Sequence, residues 1–154
     1  MRLIVTTPQE TEDLGGKLAR ALPAAHPEAL QVQLRGDLGA GKTTFARGFL
    51  RALGYAGVVR SPTYTLVESY DCGAITVVHA DLYRLRDPDE LETLGLRDLA
   101  IPGHVWLLEW PQRGGNWLPA ADVQVHLVAQ PQFHTIELQP GTATGAQWLA
   151  DMPG

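Results

Sequence analysis

The chain has 154 residues, of which 45% are hydrophobic and 19% are charged, and this size and composition suit one globular domain. The formal net charge of -5 argues against direct binding of a nucleic-acid backbone, which needs a basic surface. No apolar run is long enough for a signal peptide or a membrane span, and the single cysteine, Cys72, excludes an internal disulfide. We therefore expect a cytoplasmic protein of one domain, residues 1–154, with a core of about residues 3–138 and a short C-terminal tail.

The first third of the chain predicts two strands, each followed by a helix. Residues 3–5 form a short apolar run, and the threonine, proline and glutamate pattern of residues 7–10 predicts the start of a helix that ends near Pro23. Residues 30–35 alternate apolar and polar side chains, as a strand does. Residues 44–53 carry large apolar side chains at helical spacing, which predicts the second helix.

Between that strand and that helix lies a phosphate-binding loop. Residues 36–43 match the pattern G-x-x-x-x-G-K-[ST], in which glycines let backbone N–H groups surround phosphate oxygens at a helix N-terminus. Lys42 would reach the β- and γ-phosphates of a nucleotide, and the Thr43 hydroxyl would bind Mg²⁺. The candidate nucleotide-binding residues of the loop are Asp37, Leu38, Gly39, Ala40, Gly41, Lys42, Thr43 and Thr44.

The remainder of the chain predicts antiparallel hairpins and further helices. The predicted elements are a hairpin of residues 64–70 and 74–79, a helix from Asp87, a strand at residues 104–110, a hairpin of residues 122–129 and 133–138, and a short helix around Trp148. Hairpins need antiparallel strands, whereas a phosphate-loop unit needs parallel neighbours. The sequence therefore predicts an α/β protein with the three-layer P-loop NTPase fold and a mixed parallel and antiparallel central sheet.

Two acidic residues are candidates for the second magnesium ligand. Mg²⁺ takes oxygen ligands, and a phosphate-loop enzyme supplies a carboxylate from the end of a neighbouring strand besides Thr43. Asp81 follows the apolar run of residues 75–79, and Glu109 follows that of residues 105–108. An isolated acid at a strand end more often faces water, but beside a phosphate loop we expect both to face the nucleotide. The pattern does not choose between them.

Two further segments allow both a functional and a structural interpretation. The hydroxyl residues of segment 61–63 are candidate sensors of the γ-phosphate, and a plain turn into the next strand explains them equally well. His79 with Asp81 could be a metal-binding pair, but further ligands at regular spacing are lacking, so a structural role for His79 is favoured. No role is assigned to the remaining histidines, which are His26, His104, His126 and His134.

Four segments in this order resemble one protein family. Residues 36–44, 61–68, 79–85 and 108–111 resemble the corresponding segments of the TsaE family, formerly called YjeE. Its members are small bacterial ATPases that are required, with TsaD and TsaB, for threonylcarbamoyl modification of the adenosine beside the anticodon in certain tRNAs. The resemblance covers roughly residues 3–138, and the longer segment of residues 23–29 departs from the family pattern.

The resemblance implies ATP and Mg²⁺ as ligands and gives roles to individual residues. It implies that Lys42 contacts the phosphates, that Thr43 and Glu109 bind the metal, and that Asp81 is an acid needed for hydrolysis. It further implies a switch region formed by Ser61 to Thr63, and nucleotide contacts from Thr11 and Trp110.

The predicted function is ATP hydrolysis that supports tRNA modification. The catalytic candidates are Lys42, Asp81 and Glu109, with one of the two carboxylates orienting the attacking water. Arg84 and Arg113 could supply an arginine finger in cis, or a partner could supply it. We expect a monomer that is slow alone, does not bind membranes, docks on TsaD and TsaB, and meets tRNA only through these partners.

Two alternative functions remain. One is a nucleotide-gated assembly factor, in which ATP binding regulates a complex and hydrolysis only resets it. The other is a small-molecule kinase, which is disfavoured because the chain has little room for an arginine-bearing lid and an acceptor pocket. GTP is disfavoured as the nucleotide because the guanine-reading sequence N-K-x-D is absent.

Overall fold

The computed structural model of the chain describes residues 1–24, 26–62 and 66–154. Its strands are β1 (Arg2–Val5), β2 (Leu30–Arg35), β3 (Val67–Cys72), β4 (Ile75–Asp81), β5 (His104–Glu109), β6 (Val123–Ala129) and β7 (His134–Pro140). Its α-helices are α1 (Pro8–Arg20), α2 (Lys42–Ala52), α3 (Glu90–Thr93) and α4 (Ala143–Ala150), and 3-10 helices span Leu96–Leu99 and Pro111–Trp117. None of these helices has the length and apolarity needed to cross a bilayer.

The strands of the described residues form one mixed sheet in the order β1-β7-β6-β2-β5-β4-β3. The central pairs β6-β2, β2-β5 and β5-β4 are parallel, and the outer pairs β1-β7, β7-β6 and β4-β3 are antiparallel. The carboxyl ends of four parallel strands therefore meet at one edge of the sheet, where phosphate-loop proteins place their ligands. The predicted α/β class and mixed sheet are confirmed.

Helices cover the sheet from two sides, which gives three layers. One face packs against the long helices α1 and α2 and against α4, in a core that contains Leu18, Phe45, Phe49 and Trp148. The other face packs against α3 and the 3-10 helices through a smaller core around Leu91, Leu96, Trp106 and Leu108. A parallel sheet must be buried on both faces, and these two cores satisfy that requirement.

The close contact of α1 with α2 fixes the direction of the helix that follows the phosphate loop. A Cβ added to Gly48 of α2 would lie 1.9 Å from the carbonyl oxygen of Glu12, and one added to Gly15 of α1 would lie 2.2 Å from that of Phe45. Only glycine leaves room for this approach of the two backbones. The start of α2 is thereby held against the first helix of the chain.

Several predicted boundaries need correction. Within the described residues the first hairpin strand spans Val67–Cys72, because Leu66 has a φ of 64°, and residues 64 and 65 of the predicted strand lie outside the described residues. The hairpin turn consists of the two residues after Cys72. Strand β5 ends at Glu109, not at residue 110, because Trp110 has a φ of 56°. The helix predicted from Asp87 begins only at Glu90 and lasts one turn. These differences arise at residues with left-handed or irregular backbone, which side-chain periodicity does not reveal.

Candidate nucleotide-binding site

The phosphate loop joins the carboxyl end of β2 to the N-terminus of α2 at the middle of the sheet. A Cβ at Gly36 would lie 2.6 Å from the carbonyl oxygen of Leu127, so the loop can run this close to β6 only with glycine there. Gly41 caps α2 with a φ of 109°, a left-handed conformation that a side chain would strain. The backbone N–H groups at the start of α2 have no intrahelical acceptor and are available to an anion.

The loop lysine is buried among acceptors and beside an aromatic ring. Lys42 is 5% exposed, and its Nζ donates to the carbonyl oxygens of Gly36 and Asp37, the latter at 3.1 Å. The same Nζ lies 4.6 Å from the ring centroid of Trp110, within the range of a cation–π contact. Burial lowers the pKa of Lys42 below its ordinary value, and the carboxylates of Glu109, Asp81 and Asp37 oppose that shift.

Two buried carboxylates lie at the ends of adjacent parallel strands, close to this lysine. Asp81 of β4 and Glu109 of β5 are register partners, and Glu109 is in turn opposite Leu34 of β2. Asp81 is 5% exposed and Glu109 is 3% exposed. The parallel register therefore brings together the two acids that the sequence singled out.

The two carboxylates differ in how many of their oxygens are already bonded. Asp81 accepts a hydrogen bond from the Ser61 hydroxyl at 2.7 Å on one oxygen and from the backbone N–H of Tyr83 at 3.0 Å on the other. Glu109 accepts at Oε2 from Nε2 of His79 at 2.6 Å, and the described residues provide no donor to its Oε1. Of the two acids, Glu109 thus has the oxygen that is free to bind a cation.

These residues line one cleft with a volume of about 450 Å³. Its walls comprise Leu38, Gly39, Gly41, Lys42, Thr43, Thr44, Ser61, Asp81, Tyr83, Arg84, Glu109 and Trp110. The Thr43 hydroxyl and the Glu109 carboxylate are hard oxygen donors, which fit Mg²⁺ bound jointly by protein and phosphate oxygens. Among the described residues no group of three or more His, Cys, Asp or Glu side chains could hold a metal ion, and His79 pairs with Glu109 instead of Asp81.

A second hollow of about 160 Å³ adjoins the cleft across the phosphate loop. Its lining residues are Val5, Thr6, Thr7, Pro8, Thr11, Gly39, Gly41, Thr44 and His134, of which Gly39, Gly41 and Thr44 also line the cleft. Thr11 is buried in α1, with its methyl group near Gly41. The hollow places Thr11 beside the phosphate loop although 25 residues or more separate them in sequence.

Two of the predicted residues contribute through their backbone, and a third lies outside the described residues. Asp37 is exposed and Ala40 is buried, and neither side chain lines the cleft. Their carbonyl oxygens instead accept hydrogen bonds from Lys42 and His134, respectively. Thr63 lies outside the described residues.

Two histidines contact the site: His79, for which a structural role was favoured over a metal pair with Asp81, and His134, to which no role was assigned. His79 holds Glu109, and the only sequence signal is a polar side chain within an apolar strand. His134 of β7 has Nδ1 3.0 Å from the carbonyl oxygen of Ala40. A carbonyl only accepts, so this nitrogen carries the proton and donates. No local pattern could have identified His134, because β7 reaches the loop only through the sheet order.

Aromatic and basic side chains form the outer wall of the cleft. The ring centroids of Tyr83 and Trp110 lie 4.9 Å apart, and the Arg113 guanidinium carbon lies 5.5 Å from the Tyr83 ring centroid. Arg84 lines the cleft, whereas Arg113 does not. Of the two arginines considered from the sequence, Arg84 is therefore the one within reach of a ligand in the cleft.

Comparison with known proteins identifies the family. The family model "Threonylcarbamoyl adenosine biosynthesis protein TsaE" matches residues 5–136. The chain belongs to the TsaE family. A TsaE protein of Haemophilus influenzae, named tRNA threonylcarbamoyladenosine biosynthesis protein, is 46% identical over 132 residues, which are 85% of this chain and 84% of the relative. The Bacillus subtilis TsaE protein of the same name is 40% identical over 118 residues, 77% of this chain and 71% of the relative.

A solved structure supports the same family fold. The crystal structure of Bacillus subtilis YdiB superposes with a TM-score of 0.76 at 27% identity and covers 98% of this chain and 92% of its own. The P-loop NTPase fold predicted for a TsaE member is thus confirmed. The four sequence segments that resemble TsaE include both strand-end acids and the phosphate loop described above.

Proposed function

We propose that this TsaE family member binds and hydrolyses ATP with Mg²⁺ and supports threonylcarbamoyladenosine biosynthesis on tRNA. The observation that carries the proposal is the convergence of Lys42, Thr43 and Glu109 in one cleft at the carboxyl ends of parallel strands. A buried ammonium, a helix N-terminus and a carboxylate with one free oxygen suit a triphosphate and its metal ion. The names of the relatives supply the pathway.

Different residues of the cleft would bind the phosphates, the metal ion and the nucleoside. The backbone of residues 39–43 would bind the phosphate oxygens, and Lys42 would exchange its bonds to loop carbonyls for bonds to phosphate. Thr43 and Glu109 would hold Mg²⁺, which neutralises charge on the β- and γ-phosphates. The hollow beside Thr11 would accept the nucleoside part, because it opens on the same glycines of the loop.

Asp81 is the proposed group that orients the attacking water. Its two oxygens accept hydrogen bonds from the Ser61 hydroxyl and the Tyr83 backbone N–H, which orient the carboxylate and leave each oxygen a lone pair that can accept from a water molecule. Ser61 belongs to the segment, residues 61–63, that the resemblance implies is a switch region. Because Ser61 holds this carboxylate, we propose that movement of that segment on partner binding would change the orientation of Asp81 and raise turnover above that of the protein alone.

The proposed partners are TsaD and TsaB, with tRNA contacted only through them. The net charge of -5 supports docking on proteins in preference to a tRNA backbone. We further propose a cytoplasmic protein that is monomeric on its own.

ATP turnover by purified protein, alone and with TsaD and TsaB, tests the proposal. The variants Lys42→Ala and Glu109→Gln should each lower turnover by at least about a hundredfold, since each removes charge stabilisation at the phosphates. Asp71→Asn is the matched control, because Asp71 is an exposed acid in the turn region of β3 and should leave turnover unchanged. Turnover that survives both cleft variants would exclude this site as the ATPase centre.

The nucleotide-gated assembly factor remains a second candidate, and the bonds of Asp81 favour it. Ser61, in the segment implied as a switch region, donates to Asp81 inside the cleft, so a ligand in the cleft could change the position of that segment. Affinity for TsaD and TsaB should then be high with ATP or a nonhydrolysable analogue and low with ADP. Equal affinity in ATP, in ADP and without nucleotide would exclude gating.

A further inference from the structure

His79 is a polar residue on an otherwise apolar surface of the sheet. It is 0% exposed, and it lies on the same face of β4 as Val77, opposite Leu107 of β5. Both of those residues belong to the core beneath α1 and α2. The described residues offer no hydrogen-bond partner to its Nδ1. Burying an imidazole with one unpartnered nitrogen costs free energy that an apolar residue of similar volume would avoid.

Among the described residues, the His79 side chain has one polar contact, with Glu109. Its Nε2 lies 2.6 Å from Oε2 of Glu109, and both side chains are almost completely buried. A carboxylate accepts, so Nε2 carries a proton and donates to Glu109. Packing alone therefore does not account for His79, whereas its bond to Glu109 does.

This bond determines how the carboxylate faces the cleft. Glu109 has several rotatable bonds, and anchoring Oε2 restricts their rotation. The anchored group leaves Oε1 as the oxygen for a ligand, in the cleft that Thr43 also lines. Histidine and carboxylate partners of this kind orient ligand groups, and their loss typically lowers metal affinity 10- to 100-fold.

We propose that His79 is a positioning residue that holds Glu109 ready for the divalent cation of a bound nucleotide. The inference rests on the proposed function, in that Glu109 binds Mg²⁺. It predicts a defect that appears in the metal dependence of nucleotide binding and not in metal-free binding. A residue that only filled the core would not produce that difference.

The test compares His79→Leu with His79→Gln by calorimetry with ADP, over a series of Mg²⁺ concentrations and in EDTA. Glutamine places its amide nitrogen the same number of bonds from Cβ as Nε2 and keeps the donor, whereas leucine removes it. His79→Leu should raise the Mg²⁺ concentration for half-maximal enhancement of binding about tenfold. Its affinity for ADP in EDTA should stay within about twofold of wild type, and His79→Gln should recover most of the loss.

His104→Leu is the control, because His104 begins β5 opposite Thr76, at the other end of these strands, and has an unpartnered Nδ1 of its own. It should leave the Mg²⁺ dependence unchanged. If His79→Leu does not fold, as judged by thermal unfolding, His79→Asn replaces it. The asparagine amide nitrogen is one bond closer to Cβ than Nε2 of histidine, so it does not reach Glu109.

The results separate this inference from the function on which it rests. If the Mg²⁺ dependence of His79→Leu is unshifted, or if His79→Leu and His79→Gln shift it equally, the positioning role of His79 is contradicted. The proposed role of Glu109 is not affected by either result. Wild-type protein whose ADP binding does not respond to Mg²⁺ contradicts both the role of Glu109 and that of His79.

Discussion

Lys42 is a buried lysine whose charged form is favoured by the carboxylates around it. Burial lowers its pKa, and Glu109 is the largest of the opposing influences. Phosphate binding needs the protonated form, so affinity should fall as pH rises through the pKa of the free protein, at a lower pH than for an exposed lysine. Glu109→Gln removes the main opposing charge and should move this alkaline decline to still lower pH.

Titration of ADP binding against pH in EDTA measures this effect without the metal. Lys42→Met is the control and should bind weakly with no alkaline decline assignable to the lysine. A decline in wild type at or above the ordinary lysine range, or one that Glu109→Gln moves upward, would contradict the electrostatic interpretation.

His134 orients one peptide group of the phosphate loop. In a trans peptide the C=O of Ala40 and the N–H of Gly41 point in opposite directions, and the described residues contain no cis peptide bond. The hydrogen bond to the Ala40 oxygen therefore directs the Gly41 N–H away from His134. Since one hydrogen bond contributes about 0.5–1.5 kcal/mol, His134→Ala should weaken ADP binding about two- to tenfold.

His134→Asn provides the matched comparison, because its amide nitrogen occupies the level of Nδ1 and can donate to the same carbonyl. Calorimetry should show affinity within about twofold of wild type for this variant. Equal affinities for the alanine variant and wild type would show that the loop peptide needs no support from β7.

Two close glycine contacts between α1 and α2 determine the position of α2, the helix that follows the phosphate loop. Gly48→Ala ought to stabilise an isolated helix by about 1 kcal/mol. In this protein the added methyl meets the Glu12 backbone, so we expect a net loss of about 1–3 kcal/mol in the free energy of unfolding. Denaturant unfolding measures this, with Arg51→Ala at an exposed position of the same helix as a near-neutral control. A stabilised Gly48→Ala would contradict the tight contact.

Elements were predictable from sequence where a local pattern determines the backbone. The phosphate loop, β2 and α2 follow from glycine positions and side-chain periodicity over about 25 residues. A helix from Asp87 was predicted, but its late start at Glu90 and its single turn were not, and the 3-10 helices were not predicted, because segments of four to seven residues show too few periods. The end of β5 depended on the left-handed backbone of Trp110, which its side-chain type does not indicate.

The site was predictable as a set of chemical groups but not as a geometry. Both strand-end acids were found because parallel strands end at one edge, and the resemblance to TsaE supplied Thr11 and Trp110. The side-chain hydrogen bonds that distinguish Asp81 from Glu109 come from Ser61 and His79, which are 20 and 30 positions away in sequence. His134 depended on the order of the whole sheet, a non-local property that no local pattern of the chain expresses.

Trp148 attaches the C-terminal helix α4 to the rest of the molecule. This side chain is 0% exposed, its Nε1 donates to the carbonyl oxygen of Leu18 at 2.8 Å, and its ring lies 6.5 Å from that of Phe49. Helix α4 is thus packed, through Trp148, against α1 and α2. Trp148→Ala should cost about 3–5 kcal/mol of unfolding free energy.

Trp148→Phe separates the volume of this side chain from its hydrogen bond. It should cost less than the alanine variant, because the ring still fills most of the space. Denaturant unfolding that shows less than 1 kcal/mol for Trp148→Ala would mean that the tail is not part of the cooperative unit.

Calorimetric titration of the purified protein with a nonhydrolysable ATP analogue, with Mg²⁺ and in EDTA, is the most direct test of the nucleotide site. Wild type should bind one analogue per chain, more tightly with Mg²⁺, and Glu109→Gln should lose the metal-dependent gain while Lys42→Ala loses most of the binding. Absence of Mg²⁺-dependent binding by the folded wild-type protein, alone and with TsaD and TsaB, would contradict the proposal that this cleft holds a magnesium nucleotide.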